Sequence, residues 1–132
     1  MQVMWEAYNL GNEDFLWASA AFRGGLAGRQ QGTCGALASA GVCLGLRHRG
    51  PIADRKQAGP EMDAASHETG ELVDSFREKY GAINCFDLVG VDLSDAAARD
   101  RAREEGLFDA KCHQYVQFVV EKLYELDEKR GS

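Results

Sequence analysis

An all-α fold, a compact bundle of about five or six helices around a small-residue central helix, is what this sequence predicts. Two observations carry the expectation. Helix formers (Ala, Glu, Leu, Lys, Arg) dominate while runs of β-branched residues are nearly absent, and only two prolines occur in 132 residues. The length suits one domain spanning 1–132, and an apolar content of 45% is enough to build a core without disulfide staples.

The elements follow in order. Residues 1–9 read as one or two helical turns carrying Met4, Trp5 and Tyr8. Asn12 is a good N-cap, with Glu13 and Asp14 in the first turn, for a helix over 13–22. Four glycines between 24 and 32 then predict a loop with backbone freedom and exposed N–H groups. Thr33 is placed to cap a helix over 34–46 made of small residues (Gly35, Ala36, Ala38, Ser39, Ala40, Gly41), on which other helices can approach closely. Arg47-His48-Arg49 suits a helix C-terminus, and Gly50-Pro51 stops it. Gly59-Pro60 interrupts the next stretch, so the following helix is read over 61–79, with Ala65, Leu72, Val73, Phe76 and Tyr80 on one face and Gly81 at its end. Asn84 starts a short turn of helix, Ser94 caps a polar one over 95–105, and Asp109 caps the last over 110–128. The last helix would bury Cys112, Tyr115 or Val116, Val119, Leu123 and Leu126.

Charge narrows the function classes. Residues 1–50 carry four arginines against three acids, and the remainder eleven basic against eighteen acidic residues, for a net of -6. Such a surface argues against binding nucleic acid or anionic lipid. No stretch approaches the ~20 apolar residues of a membrane helix, so no membrane insertion is expected. The first residues have no basic n-region or small-residue cleavage site, and a cytoplasmic location is expected. There, cysteines serve more often as metal ligands or redox groups than as structural disulfides.

Four cysteines occur, at 34, 43, 85 and 112, without a Cys-x-x-Cys pair. Cys34 and Cys43, nine residues apart on one predicted helix, point to opposite faces. Cys43, among Val42, Leu44 and Leu46, reads as a core thiol. Cys34 follows the glycine loop at a helix start, where N–H groups and the helix dipole favour a thiolate; it either does chemistry there or fills a gap at a tight turn. Cys85 follows Asn84, and Cys112 lies three residues after Asp109. Three of four cysteines at helix starts is the pattern converging thiolates need. His48, His67 and His113 all read as surface residues, His48 as part of a basic helix cap.

Phe22-x-Gly24-Gly25, Gly32-Thr33-Cys34-Gly35-Ala36-Leu37 and Leu44-Gly45-Leu46 are followed by Phe76-x-x-x-Tyr80-Gly81-x-Ile83-Asn84-Cys85-x-x-Leu88-Val89-Gly90, and then by Cys112 with Val116. Together these segments resemble the C_GCAxxG_C_C family of redox-active helical proteins over roughly 14–126. A related domain of split-Soret cytochromes is associated with an iron–sulfur cluster. The resemblance implies Cys34, Cys85 and Cys112 as iron–sulfur ligands or as a dithiol/disulfide couple, with Gly32, Thr33 and Gly35 around the cofactor, and a redox partner. The competing reading is a non-catalytic helical module that binds a metal or a partner through reduced cysteines. Ser39 stands where the family motif has its last glycine, and nothing matches the family's first cysteine, which lies in an N-terminal helix. Either the N-terminus is truncated or this member carries one ligand fewer. An apolar end left by that helix predicts self-association as a homodimer.

Overall fold

The computed structural model describes residues 1–131. Helices α1 (Gln2–Ala7), α2 (Asp14–Ser19), α3 (Gly35–His48), α4 (Arg55–Tyr80), α5 (Cys85–Val89), α6 (Ala96–Glu104) and α7 (His113–Gly131) follow in that order. A 3-10 turn, Ala20–Phe22, extends α2, and a π-helical turn, Phe108–Cys112, leads into α7. Among the described residues there is no strand, only an isolated antiparallel bridge between Thr33 and Asn84. The fold is all-α, as the composition predicts.

Helix α3 is the axis, packed between α4 and α7. Its small-residue side faces α4: a Cβ added at Gly41 would stand 3.6 Å from Thr69, an ordinary contact. Its larger residues, Leu37, Leu44 and Cys43, meet Leu72 and Phe76 from α4 and Val119 and Leu123 from α7 in the core. Phe76 is wholly buried and sits among the rings of Tyr80, Tyr115 and Phe118. On α7 the inward face is Tyr115, Phe118, Val119 and Leu123; Val116, an expected alternative, is exposed because it falls about 100° from Tyr115 on the wheel.

Caps explain most boundaries. Asn12 Oδ1 accepts the Asp14 N–H at 2.9 Å, and Asn84 Oδ1 accepts that of Phe86 at 2.9 Å. The expected cap of α6 shifts by one residue. Asp92 Oδ1 takes both the backbone N–H and the hydroxyl of Ser94, so the Asp95 carboxylate caps Ala97 and Ala98 instead. The greater departure is α4, which starts at Arg55 behind the Asp54 cap and runs through Gly59-Pro60. Pro60 is exposed and its missing N–H leaves only the Lys56 carbonyl, on an exposed turn, for water to satisfy.

His48 also departs from expectation. Its side chain is only 11% exposed, with Nδ1 3.1 Å from Glu61 and Nε2 2.9 Å from Glu68. Glu68 Oε1 is shared with Arg130 Nε at 3.2 Å, and Arg47 pairs with Asp127. This network ties the C-terminal end of α3 to α4 and to the end of α7. His67 and His113 are exposed, as read from the sequence.

Candidate functional site: three thiols at one cavity

The bridge sets the site. Cys34 N donates to Ile83 O at 2.7 Å, and Cys85 N donates to Gly32 O at 3.0 Å. Side chains alternate across an extended segment, so Cys34 and Cys85 lie on one face of the bridge and Thr33 and Asn84 on the other. Asn84 Nδ2 adds a bond to Gln31 O at 2.6 Å. The glycine loop closes beneath. A Cβ at Gly25 would lie 2.6 Å from Cys85 Cβ, and Gly25 sits at φ +61°, so only glycine fits there. Gly35 opens α3 against the chain at 22–23, where a Cβ would meet Phe22 O at 3.0 Å. The expected helix cap moves by one residue: Cys34 itself is the N-cap of α3, because Thr33 is held extended in the bridge.

Cys112 arrives from the other side. It closes the π-helical turn before α7, rather than standing in the first turn of a helix capped by Asp109. Its neighbours dock this turn onto α5. Lys111 Nζ donates to Val89 O at 3.2 Å, and the buried Tyr115 hydroxyl donates to Leu88 O at 3.0 Å. Both carbonyls belong to the last turn of α5, where no helical partner remains for them. A π-helical turn inside an α-helix is rare and is found mostly at functional sites.

All three thiols line one cavity of about 610 Å³ with a largely apolar wall. Cys85 is buried, and Cys34 and Cys112 are half-buried. Burial pushes each of the three thiols above its ordinary pKa. Cys34 and Cys112 add their charges against ionisation of Cys85, and Cys34 adds its own against Cys112. Against this, the Ala36 and Leu37 amides draw Cys34 down without closing a capping hydrogen bond, Gln30 draws Cys85 down, and Lys111 and the Cys112 amide draw Cys112 down. Tyr115 stands among the thiols, its pKa raised by burial and then by Cys112, Cys34 and Cys85. All four cysteines are free.

The sequence-derived candidates thus separate. Cys34, Cys85 and Cys112 come together, with Gly35 on the cavity wall; Gly32 contributes backbone, and Thr33 is turned away. Cys43 is a core thiol with its Sγ 3.3 Å from Met1 Sδ, but it opens on the same cavity as Cys34 instead of facing away from it, because Cys34 is the extended N-cap of α3 and lies off the helical wheel. Sequence reasoning missed Lys111 and also Gln30, whose buried side chain ties the glycine loop to Val91 O and Leu93 N, and it read Tyr115 only as a core residue. Among the described residues no three His, Cys, Asp or Glu side chains are placed to hold a single metal ion. The three soft thiol donors stand instead around one largely apolar cavity.

The chain matches, over residues 1–126, the model of the family described as "Putative redox-active protein (C_GCAxxG_C_C)". It belongs to this family. The C_GCAxxG_C_C match takes in every element from α1 to most of α7, and all four cysteines. No curated protein and no solved structure matches the chain. No helix among the described residues is long and apolar enough to cross a membrane.

Proposed function

We propose that this protein is a redox or electron-transfer protein in which Cys34, Cys85 and Cys112 hold an iron–sulfur cluster. The observation that carries the reading is the convergence of three thiols, from three separate segments, on one apolar cavity. Such a cluster supplies one-electron chemistry at a potential set by burial and by N–H groups near its sulfurs. The chain's own residues account for the rest. Burial and mutual repulsion raise the pKa of the free thiols, so a cationic group that offsets the negative sulfurs favours their ionisation. Lys111 and the Ala36 and Leu37 amides add favourable charge near Cys112 and Cys34. Lys111 and Tyr115 hold Cys112 toward α5, and the wall around the thiols is largely apolar.

The bridge favours a second reading, a dithiol/disulfide couple of Cys34 and Cys85, because it fixes both on one face. In that case half-buried Cys34 attacks a partner's disulfide as the thiolate and releases one partner sulfur. Cys85 then attacks Cys34 Sγ and releases the other. Two electrons and two protons pass from the pair to the partner.

Anaerobic purification followed by a visible spectrum, with iron and acid-labile sulfide assays, separates the readings. Stoichiometric iron and sulfide, lost on Cys34→Ser, supports the cluster. Colourless, folded, iron-free protein removes it. Free-thiol titration against a dithiol buffer then distinguishes a redox pair from a binding module whose cysteines stay reduced.

A further inference from the structure

Beyond the thiols, three rows of mostly apolar side chains wall the same cavity. Leu16, Ala20 and Arg23 follow α2 and its 3-10 extension, Ala36, Ala40 and Cys43 lie on α3, and Val116, Val120 and Leu123 lie on α7. Each row steps by four residues and then by three, the spacing of one helix face, so each wall runs for about 10 Å. The thiols close one end. At the other stand Met4 and Met1, whose Sδ reaches Cys43. The space is therefore a channel, and its volume of about 610 Å³ falls within the roughly 300–1,000 Å³ of small-molecule sites, which form between the helices of bundles. Interiors otherwise close-pack, yet α3 presents only Ala36 and Ala40 along the middle of this wall, where larger side chains would fill the space.

The rim is apolar and faces solvent: Val3 on α1 is 54% exposed and Val116 on α7 is 44% exposed. Among the described residues Arg23 is the one charged side chain of the wall, and it is exposed with no carboxylate paired to it. Its backbone is held beside the start of α3, where a Cβ on Gly35 would meet Arg23 Cα at 3.1 Å. The Ser19 and Tyr115 hydroxyls of the wall are already bonded, to Leu16 O and Leu88 O. A guanidinium without a protein acid, at the edge of an apolar channel, complements an anion joined to an apolar body.

We propose that this channel binds a single-chain amphiphile with an anionic head, a carboxylate or a phosphate. The head pairs with Arg23 at the thiol end, and the chain lies along the three rows toward Met4. The inference goes beyond the redox reading and does not rest on it, since binding here makes and breaks no bond at sulfur.

Equilibrium dialysis of the full reduced chain against radiolabelled decanoate, decyl phosphate and decanol tests this. One saturable site per chain is expected for at least one of the two anions, and the tighter of them names the head. Arg23→Gln weakens that anion about ten-fold and changes decanol by less than about two-fold, because only the anion gains a charge-assisted bond. Ala20→Phe fills the channel from its exposed wall and abolishes binding of the anion and of decanol alike. Should that variant fail to fold, Val120→Trp fills the channel from α7 with the same result. Absence of saturable binding by both anions overturns the proposal. So does an Arg23→Gln effect as large on decanol as on the anion, which would make Arg23 a prop of the wall, or undiminished binding in a folded channel-filled variant. Sedimentation velocity on the same samples supplies the last arm: a dimer that neither anion dissociates would mean that a second copy covers the rim, and would overturn the proposal too.

Discussion

Single residues hold the site by contact and by conformation, and the two can be separated by mutation. Gly25→Ala places a methyl group against Cys85 Cβ and demands φ +61° of an alanine. We expect a loss of about 2–4 kcal/mol, read from the urea midpoint; a loss below about 1 kcal/mol would show that the loop yields. Tyr115→Phe removes the bond to Leu88 O and leaves that carbonyl without its partner, at a cost of about 1–2 kcal/mol by the same assay. Not all of this is readable from the chain alone. The cysteines are legible, because a glycine loop before Cys34 and an asparagine cap before Cys85 are local signals. Gln30 is not, since its burial comes from the α5 segment closing over it. His48 misleads for a related reason: an Arg-His-Arg run looks like a solvated helix end until Glu61 and Glu68 arrive from another helix.

Helices are legible as far as their caps are local. Asn84, Gly81 and Gly90 act where their types suggest, and Asn12 bonds Asp14 N one residue ahead of the α2 cap at Glu13. The start of α4 is not, because Gly59-Pro60 reads locally as a break while the packing of α4 on α3, absent from local sequence, carries the helix through it. The π-helical turn at Phe108–Cys112 leaves no trace in the apolar spacing, and the Thr33–Asn84 bridge is too short to give alternation. Two substitutions test the elements on their own terms. Gly70 lies within α4 with open space where a methyl group would stand, nothing coming within 4 Å of it, so Gly70→Ala should stabilise by about 0.5–1 kcal/mol. Asp95→Ala strips the cap of α6 and should cost about 1 kcal/mol. Thermal melts read both, and a destabilising Gly70→Ala would mean that α4 is bent or crowded there.

Across the whole molecule, buried acids that ionise late make the fold sensitive to alkali. Tyr8 donates its hydroxyl to Leu123 O, and burial, followed by the Asp127 carboxylate, pushes its pKa up to about 12. An unfolded tyrosine ionises near pH ~10. The folded state therefore holds this proton more tightly, and the stabilisation is complete below about pH 10 and lost as pH rises toward about 12. Burial raises Cys43 in the same direction, so its loss begins above about pH 8.5. Melting temperatures from about pH 8 to about pH 12, under reductant, should fall in wild type and fall less steeply above about pH 10 in Tyr8→Phe; parallel curves would remove Tyr8 from the account. The bridge has a further consequence, in time rather than energy. It joins Thr33 to Asn84, far apart in sequence, and the Asn84 side chain reaches Gln31 O, 53 residues away. Helical turns form within about a microsecond, whereas contacts of such separation wait for the chain to close a long loop. The thiols should therefore find shelter later than the local helices, and a refolding chain would pass through a stage with formed helices and unguarded cysteines. Refolding in the presence of oxidant should trap mispaired disulfides during that stage, while the same oxidant added after folding should find Cys43 and Cys85 protected.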